Sequence, residues 1–245
     1  MCTLSFYPKP KNEGFILTFS RDEMPNRSSV DIVHDAERGL IYPKDALHGG
    51  TWFAVSQLNG RFTCLLNGAF EIHKRQLPYR KSRGLVLLES FEALDIEDFW
   101  ENYDFTNIEP FTMISGENNH FLELRWDGNK RHLRQLDNRK PEIWSSCTLY
   151  NQKIRSARAT WFSDFQKSKN GVLEAAHLWQ FHQTPHKEEP ENGILMRRPS
   201  GPLTVSVTQL NYYFSSQNID FQYNELGDSN ISHHQIPYGQ TLLAH

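Results

Sequence analysis

The chain has 245 residues, a length that suits one large domain or two small ones and that can bury a substantial core. Hydrophobic residues make up 38% and charged residues 22%, which is typical of globular proteins and excludes disordered and fibrous classes. The formal net charge of −3 gives no reason to expect a nucleic-acid partner. Basic residues cluster at positions 73–75 and 80–83, where a solvated loop is the favoured interpretation.

Cysteine content and hydropathy indicate the compartment. No apolar run approaches the ~18 residues of a membrane span, and Phe15-Ile16-Leu17 is too short and begins too late for a signal peptide. We therefore expect no membrane span, a chain that starts at Met1 and a cytoplasmic location. Three cysteines without C-x-x-C spacing argue against a disulfide framework and a structural zinc site. Cys64 is expected in the core, Cys147 is undecided, and Cys2 is unusual.

The chain opens with a predicted hairpin. Alternation predicts strands at residues 2–7 and 15–19, with a turn at 8–12. The polar cluster Ser20-Arg21-Asp22-Glu23 follows directly after the second strand. Residues 24–50, rich in Pro, Ser, Asp and Gly, are predicted to form a long excursion, a feature that is more often functional than idle.

Two further hairpins are predicted in the middle of the chain. The first spans residues 51–66, and its Asn59-Gly60 pair tolerates the positive φ angles of a type I′ turn. The second spans residues 119–136 and turns at Asp127-Gly128. Both pair neighbouring strands in an antiparallel manner.

Helical spacing of apolar residues recurs in three places. It predicts helices within residues 82–103, over 151–168 and over about 172–183. Late strands are predicted at 204–210 and 219–223, and the tail after residue 228 is polar and irregular. Hairpins outnumber β-α-β crossovers, so the sequence predicts a single α+β domain with mainly antiparallel sheets covered by helices.

Cys2 is the residue that points to chemistry. Removal of the initiator methionine is usual before a small residue, and it would leave Cys2 with both a thiol and a free α-amine. Because such an amine has a pKa near ~7.7–8, it can act as a general base for the adjacent thiol. A cysteine placed by chance on an edge strand is the alternative interpretation.

The cluster Arg21-Asp22-Glu23 strengthens this hypothesis, because a hairpin would return it beside Cys2. Arg21 would then stabilise a thiolate or hold a substrate carboxylate. Asp22 would orient the α-amine, and Glu23 would pair with Arg21 or Arg27. The alternative is a solvated turn whose surface ion pairs add little stability.

Five segments between residues 1 and 67 carry a resemblance to a known family. They are Met1-Cys2-Thr3-Leu4, Leu17-Thr18-Phe19-Ser20-Arg21-Asp22-Glu23, Gly49-Gly50-Thr51-Trp52, Asn59-Gly60-Arg61-Phe62 and Leu65-Leu66-Asn67. In this order they resemble the NRDE-motif family, also called transport and Golgi organisation protein 2-like. The rest of the chain fits more loosely. The family in turn resembles N-terminal-nucleophile hydrolases of the cholylglycine hydrolase and penicillin V acylase kind.

The resemblance implies a four-layer αββα sandwich and a set of catalytic residues. By this resemblance Cys2 is the nucleophile and, after loss of Met1, its own base. Arg21 and Asp22 match the pair that flanks the thiol. Asn67 matches the position whose backbone amide helps form an oxyanion hole, a feature that commonly lowers a barrier by a few kcal/mol.

Three positions depart from the family pattern. Ser20 stands where the Asn of the family name is usual. Ser146 replaces an Asn whose side chain serves the oxyanion hole in the hydrolases, and its hydroxyl is a shorter donor. Ser200-Gly201-Pro202 replaces Gly-Thr-Arg, so that either Arg197 or Arg198, a few residues earlier, substitutes for the arginine or its role is lost. These departures bear on catalysis and not on the fold.

Other patterns are weaker signals. His182 and His186 have i, i+4 spacing, but Pro185 breaks the helix between them, so scattered surface histidines are the favoured interpretation and no metal site is predicted. No P-loop or dinucleotide-binding motif is present. Helical aromatic residues are expected in the core, although they would also suit a flat hydrophobic ligand: Trp161, Phe162, Phe165, Trp179 and Phe181.

Three functions follow from this sequence. The leading one is hydrolysis of a non-peptide carbon–nitrogen (amide) bond in a small molecule, with Cys2 attacking and with Asn67 and Ser146 at the oxyanion. The second is non-catalytic binding or trafficking of a hydrophobic ligand such as haem, which the resemblance suggests; without C-x-x-C-H, haem would bind non-covalently through Cys or His. The third is an interaction domain without pocket chemistry. No resident cofactor is predicted, and the oligomeric state stays open.

Overall fold

A computed structural model describes residues 2–25, 27, 29–117, 119–227 and 231–239. These described residues form two compact units, one lying within 1–28 and 139–236 and the other within 29–138 and 237–245. Each unit is built on one large β-sheet and carries two α-helices. The predicted α+β class with two mainly antiparallel sheets is therefore confirmed, whereas the single-domain organisation stays a prediction.

The described secondary structure alternates between strands and helices along the chain. The strands are β1 (Cys2–Pro8), β2 (Gly14–Glu23), β3 (Ser29–Asp35), β4 (Leu40–Asp45), β5 (Phe53–Ser56), β6 (Phe62–Asn67), β7 (Phe111–Glu117), β8 (His120–Trp126), β9 (Arg131–Gln135), β10 (Glu142–Ser145), β11 (Leu203–Tyr213), β12 (Asn218–Glu225) and β13 (Ile231–Pro237). The α-helices are α1 (Arg83–Glu89), α2 (Ile96–Asn102), α3 (Gln152–Ser168) and α4 (Ala175–Gln183).

The first unit holds a six-stranded sheet in the order β10-β1-β2-β11-β12-β13. Strand β2 is longer than predicted, because the polar cluster of residues 20–23 lies inside it. Both neighbours of β2 pair with this cluster: Cys2 faces Arg21 across β1, and Leu203 faces Glu23 across β11. Ladder pairing on both sides thus overrides the polar composition that suggested a strand end.

The second unit holds a seven-stranded meander in the order β3-β4-β5-β6-β7-β8-β9. The prediction that residues 24–50 form an excursion is wrong, because most of them make the β3–β4 hairpin. The prediction of a type I′ turn is also wrong, because such a turn needs a positive φ at both Asn59 and Gly60, and of the two only Gly60 has one, at 75°. The side chain of Asn59 accepts a hydrogen bond from the backbone N–H of Arg61 at 3.1 Å. Strand β13 likewise occupies part of the predicted irregular tail.

Apolar packing on each sheet follows the predicted helical stripes. In the second unit α1 and α2 pack into an aromatic cluster in which Phe105 stacks on Trp126 at 5.4 Å. In the first unit α3 and α4 cover one face of the sheet, and Phe162 is buried there with Tyr7. Phe165 and Phe181 pack against the same cluster, so these aromatic residues belong to the core. No helix in the described part of the chain has the length and apolar composition of a membrane span.

Gly50, in the Gly49-Gly50 motif, lies in close contact with helix α1 at Gly84. The backbone N–H of Thr51 donates to the carbonyl of Gly84 at 3.2 Å. A Cβ on Gly84 would lie 2.8 Å from the Thr51 carbonyl oxygen, and a Cβ on Gly50 would lie 2.5 Å from the Gly84 carbonyl carbon. Neither residue can carry a side chain unless the backbone of α1 moves away from this segment.

We therefore expect Gly84→Ala to destabilise the protein, although alanine favours a helix by about 1 kcal/mol over glycine. The backbone contact with Thr51 should cost about 1–3 kcal/mol, as overpacking does elsewhere. Chemical denaturation measures this change in the free energy of unfolding. Lys153→Ala, at an exposed position of α3, is the control and should change it by less than about 0.5 kcal/mol. A Gly84→Ala protein as stable as wild type would contradict the packing described.

Candidate functional site

Strand pairing places Cys2 directly opposite Arg21. The register between β1 and β2 pairs Cys2 with Arg21 and Thr3 with Ser20. Because opposite residues share a face of a sheet, the Cys2 thiol and the Arg21 side chain lie on one face, and Thr3 and Ser20 lie on the other. Both Cys2 and Arg21 are buried. The predicted return of Arg21 to the neighbourhood of the thiol is what this register shows.

Arg21 is also tied to the segment that follows β2. Its Nη1 donates to the backbone carbonyl of Arg27 at 2.6 Å, while the Arg27 side chain forms an ion pair with Glu23 at 2.9 Å. Glu23 therefore pairs with Arg27, one of the two partners predicted for it. These contacts hold the guanidinium of Arg21 in place beside β1.

Ser146 lies against the backbone of Cys2. Strand β10 pairs Ser145 with Thr3, and the next residue, Ser146, donates its backbone N–H to the Cys2 carbonyl at 3.0 Å. The Ser146 hydroxyl lies 3.2 Å from the hydroxyl of Thr148, and the Ser146 carbonyl accepts from Tyr150 at the approach to α3. The structure thus brings together Cys2, Arg21 and Ser146.

Asn67 and the late arginines belong to other elements of the chain. Asn67 ends β6 in the sheet of the second unit, where it pairs with Phe111. Arg197 is exposed and Arg198 donates to the carbonyl of Glu191, so the segment before β11 holds neither arginine in a buried position.

Asp22 points away from the thiol, into the helix-covered face of the first sheet. Its two carboxylate oxygens accept hydrogen bonds from the hydroxyls of Tyr150 at 2.7 Å and Thr204 at 2.6 Å. Burial raises the pKa of the Asp22 carboxyl, while Arg158 and the two hydroxyl donors limit that rise. Asp22 is therefore a fixed member of a buried network, and its proposed role in orienting the α-amine stays a prediction.

Arg158 is the centre of that network. It is fully buried on α3, where its guanidinium stacks 3.5 Å from the centre of the Tyr150 ring. It donates to the carbonyls of Asn192, at 3.0 Å, and Gly193, and to the hydroxyl of Thr3 in β1. Sequence periodicity placed Arg158 on the apolar stripe of this helix but gave no reason to assign it a polar function.

His182 joins β1 to β2 from helix α4. Its Nε2 lies 2.8 Å from the hydroxyl of Ser5, and its Nδ1 lies 2.8 Å from the hydroxyl of Ser20. The prediction of a surface histidine is wrong here, because His182 is fully buried. The signal that sequence reasoning missed is the pair of serines at buried strand positions, which need a polar partner between them. Ser20, where the family usually has Asn, is one of those serines.

Burial controls the protonation of the thiol. Burial raises the pKa of Cys2, and the Asp22 carboxylate adds to the rise, while the positive charge of Arg21 opposes it. Since only the thiolate is a strong nucleophile, the thiol as it stands is held in its protonated form at neutral pH. Arg21 therefore lowers the pKa of the thiol, which is the direction that we predicted, but the rise caused by burial is larger.

A protein-family comparison agrees with these motifs. The family model described as Transport and Golgi organisation 2 matches residues 1–218. The chain belongs to this family. The match includes all the strands that surround Cys2, whereas no individual curated protein matches the chain. Membership of the Transport and Golgi organisation 2 family confirms the resemblance seen in the sequence, and the more distant relation to N-terminal-nucleophile hydrolases stays a prediction.

Two further observations concern metal ligands and cysteines. In the ranges that the structure describes, no group of three or more His, Cys, Asp or Glu residues is arranged to hold a metal ion. Cys2, Cys64 and Cys147 are all buried, and Cys64 is in the apolar core as expected.

The stability of the protein should depend on pH through His182. Burial, together with the charge of Arg158, lowers the pKa of His182 from 6.5 to about 3. The unfolded chain therefore takes up the proton first, so this contribution to stability is complete above about pH 6.5 and is lost as the pH falls toward about 3, by up to about 1.4 kcal/mol per pH unit. We expect His182→Gln to reduce the slope of unfolding free energy against pH between about pH 6 and about pH 4.

Denaturant unfolding over this pH range is the measurement. The exposed His48→Gln variant should keep the wild-type slope. If His182→Gln also keeps it, the histidine is not buried in its neutral form.

Substitutions beside Cys2 should move the pKa of its thiol in opposite directions. Arg21→Gln removes a positive charge that lowers this pKa, so the pKa should rise. Asp22→Asn removes a negative charge that raises it, so the pKa should fall. The pH dependence of iodoacetamide alkylation at Cys2, followed by peptide mass spectrometry, reports both shifts. Lys153→Gln, at an exposed position of α3, is the control and should leave the thiol pKa unchanged. Shifts of the same sign for Arg21→Gln and Asp22→Asn would contradict the geometry.

Proposed function

We propose that this member of the Transport and Golgi organisation 2 family hydrolyses a non-peptide amide bond in a small molecule, with Cys2 as the nucleophile. The observation that supports the proposal is the register that sets Cys2 opposite Arg21, with Ser146 bonded to the Cys2 backbone. The proposal requires loss of Met1, which leaves a free α-amine on the residue that carries the thiol. A cytoplasmic location, where thiols stay reduced, belongs to the proposal.

The reaction has two stages. The α-amine of Cys2 takes the thiol proton, and the sulfur attacks the amide carbonyl carbon, forming a C–S bond and a tetrahedral oxyanion. The C–N bond then breaks, the amine leaves with the proton from the Cys2 ammonium, and a thioester remains. Water, with its proton taken by the same amine, attacks the thioester carbonyl; the C–S bond breaks, and the acid and the free thiol are released.

Oxyanion stabilisation is the demanding part of this mechanism. The backbone N–H of Ser146 is already engaged with the Cys2 carbonyl, so Ser146 would donate through its hydroxyl. The family resemblance assigns a second donor to the backbone amide of Asn67, and that assignment stays a prediction. Each such donor is worth up to about 3–4 kcal/mol of barrier where it has been removed from a hydrolase.

Binding without catalysis is the second candidate, and the protonation of the thiol favours it. A buried Cys2 whose pKa is raised is a poor nucleophile until its own amine is released. On the same scaffold the protein would then bind or carry a small hydrophobic ligand such as haem. His182 is unsuited to ligate its iron, because both ring nitrogens lie at hydrogen-bond distance from serine hydroxyls.

The test is covalent trapping of Cys2. We expect the protein isolated from cells to lack Met1 by intact mass, and we expect a panel of chromogenic acyl-amides to give an acyl adduct at Cys2 and released amine. Cys2→Ala should abolish both. Cys64→Ala and Cys147→Ala, also at buried cysteines, are matched controls that should retain both.

Two outcomes would contradict the proposal that the protein is a hydrolase. One is a retained Met1, because the general base is then missing. The other is acylation that survives Cys2→Ala. A visible haem absorption band that forms on titration and persists in Cys2→Ala, without amide turnover, would favour the binding protein instead.

A further inference from the structure

The loop between β6 and α1 exposes an unusual set of apolar side chains. Ile72 is 75% exposed, Leu77 is 68% exposed and Phe70 is 44% exposed. They are three of the ten large hydrophobic residues that are exposed in the described parts of the chain, yet they fall within eight consecutive positions. Scattered exposed hydrophobic residues need no explanation, whereas such a concentration marks an interaction surface.

Two cationic side chains lie between these apolar residues in the sequence. Lys74 and Arg75 lie between Ile72 and Leu77, and the Arg75 side chain is 65% exposed. One nearby carboxylate is turned inward: Glu109 is buried, lies 3.2 Å from His73, and forms ion pairs with Arg75 at 3.3 Å and Arg83 at 3.1 Å. Within residues 70–77 the exposed charges are those of Lys74 and Arg75 against that of Glu71, so the loop keeps a net positive charge on a protein whose net charge is −3.

The loop is held in this arrangement by contacts at its base. The guanidinium of Arg125 lies 5.0 Å from the centre of the Phe70 ring, and the ring of His132 meets Phe70 edge-on at 4.9 Å. At the other end, the side chain of Asn107 donates to the carbonyl of Pro78 at 2.9 Å. Ile72 and Leu77 are thus held exposed by an ordered base, and their exposure is a property of the fold.

We propose that the loop of residues 70–77 docks the protein on an anionic lipid bilayer. Ile72 and Leu77 insert among the acyl chains near the interface, while Lys74 and Arg75 contact acidic headgroups. Apolar side chains flanked by lysine and arginine are the combination that holds proteins at membrane interfaces, where burial and headgroup attraction add together. A fluid bilayer suits side chains that project singly, because it needs no preformed groove. This surface is independent of the chemistry at Cys2.

Vesicle co-sedimentation of the full chain tests the proposal. We expect binding to phosphatidylcholine vesicles that contain phosphatidylserine, and much weaker binding to phosphatidylcholine alone. The double variant Ile72→Ser/Leu77→Ser should lower the affinity for the anionic vesicles at least about tenfold, since it removes most of the buried apolar area. Lys74→Gln/Arg75→Gln should also lower it about tenfold or more and should weaken its dependence on salt.

The matched control removes equally exposed leucines elsewhere. Leu47 is 69% exposed and Leu94 is 86% exposed, and Leu47→Ser/Leu94→Ser should bind vesicles as the wild type does. Thermal melting of each variant checks that its fold is intact. The proposal is overturned if the wild type binds neither kind of vesicle, if it binds both kinds equally, or if the loop variants bind as well as the control. Binding to an acidic peptide that these same loop substitutions abolish, without vesicle binding, would identify a protein partner and overturn it too.

Discussion

The register of strand β1 is the constraint on which the candidate site depends. Cys2 faces Arg21 only because β1 pairs with β2 in one alignment, and a shift by one residue would turn the thiol to the opposite face of the sheet. Backbone pairing alone does not choose between alignments. Polar groups on the helix-covered face make that choice, because they find their partners in one alignment and lose them in the others.

Two buried side chains make most of these contacts. His182 reaches a serine on β1 and a serine on β2, and Arg158 reaches the hydroxyl of Thr3. A buried guanidinium that loses its partners is strongly destabilising, so an alignment that moved Thr3 away from Arg158 would be costly. The thiol lies on the face of the sheet away from α3 and α4, and the polar network lies on the face that these helices cover. The network therefore positions Cys2 without contacting its thiol.

The same network explains how a buried carboxylate and a buried guanidinium coexist. Asp22 and Arg158 are both fully buried, and Tyr150 stands between them, with its hydroxyl on the carboxylate and its ring under the guanidinium. Each group is satisfied by neutral dipoles, which limits the desolvation penalty that isolated charges would carry. The negative charge of Asp22 also raises the pKa of the Cys2 thiol, which Arg21 lowers.

Sequence reasoning predicted the features that depend on local pattern. Helix α3, the hairpins around Gly60 and Gly128 and the proximity of Arg21 to Cys2 all follow from periodicity and turn residues. It failed where long-range pairing decides: β2 continues through four polar residues because β11 pairs with it, and β10 forms against β1 from distant parts of the chain.

The buried polar side chains were missed for the same reason. The sequence indicates a surface position for His182 and a place on an apolar stripe for Arg158, and neither pattern reveals their polar partners, which they acquire only when α3 and α4 pack on the sheet. The pattern of serine and threonine in the buried strands was the available signal: Thr3, Ser5, Thr18 and Ser20 alternate with apolar residues on strands that are buried on both faces. Such positions require polar partners on the covering elements.

A cross-strand disulfide measures the register most directly. Directly opposite residues bring their Cβ atoms about 4.5–5.5 Å apart, close enough for a disulfide to form with small adjustments. In an Arg21→Cys variant, mild oxidation should link residue 21 to Cys2, as shown by a disulfide-linked peptide in the mass spectrum. In a Ser20→Cys variant the new thiol should point to the other face and stay unlinked. Linkage at position 20 without linkage at position 21 would contradict the alignment, and with it the site built on Cys2 and Arg21.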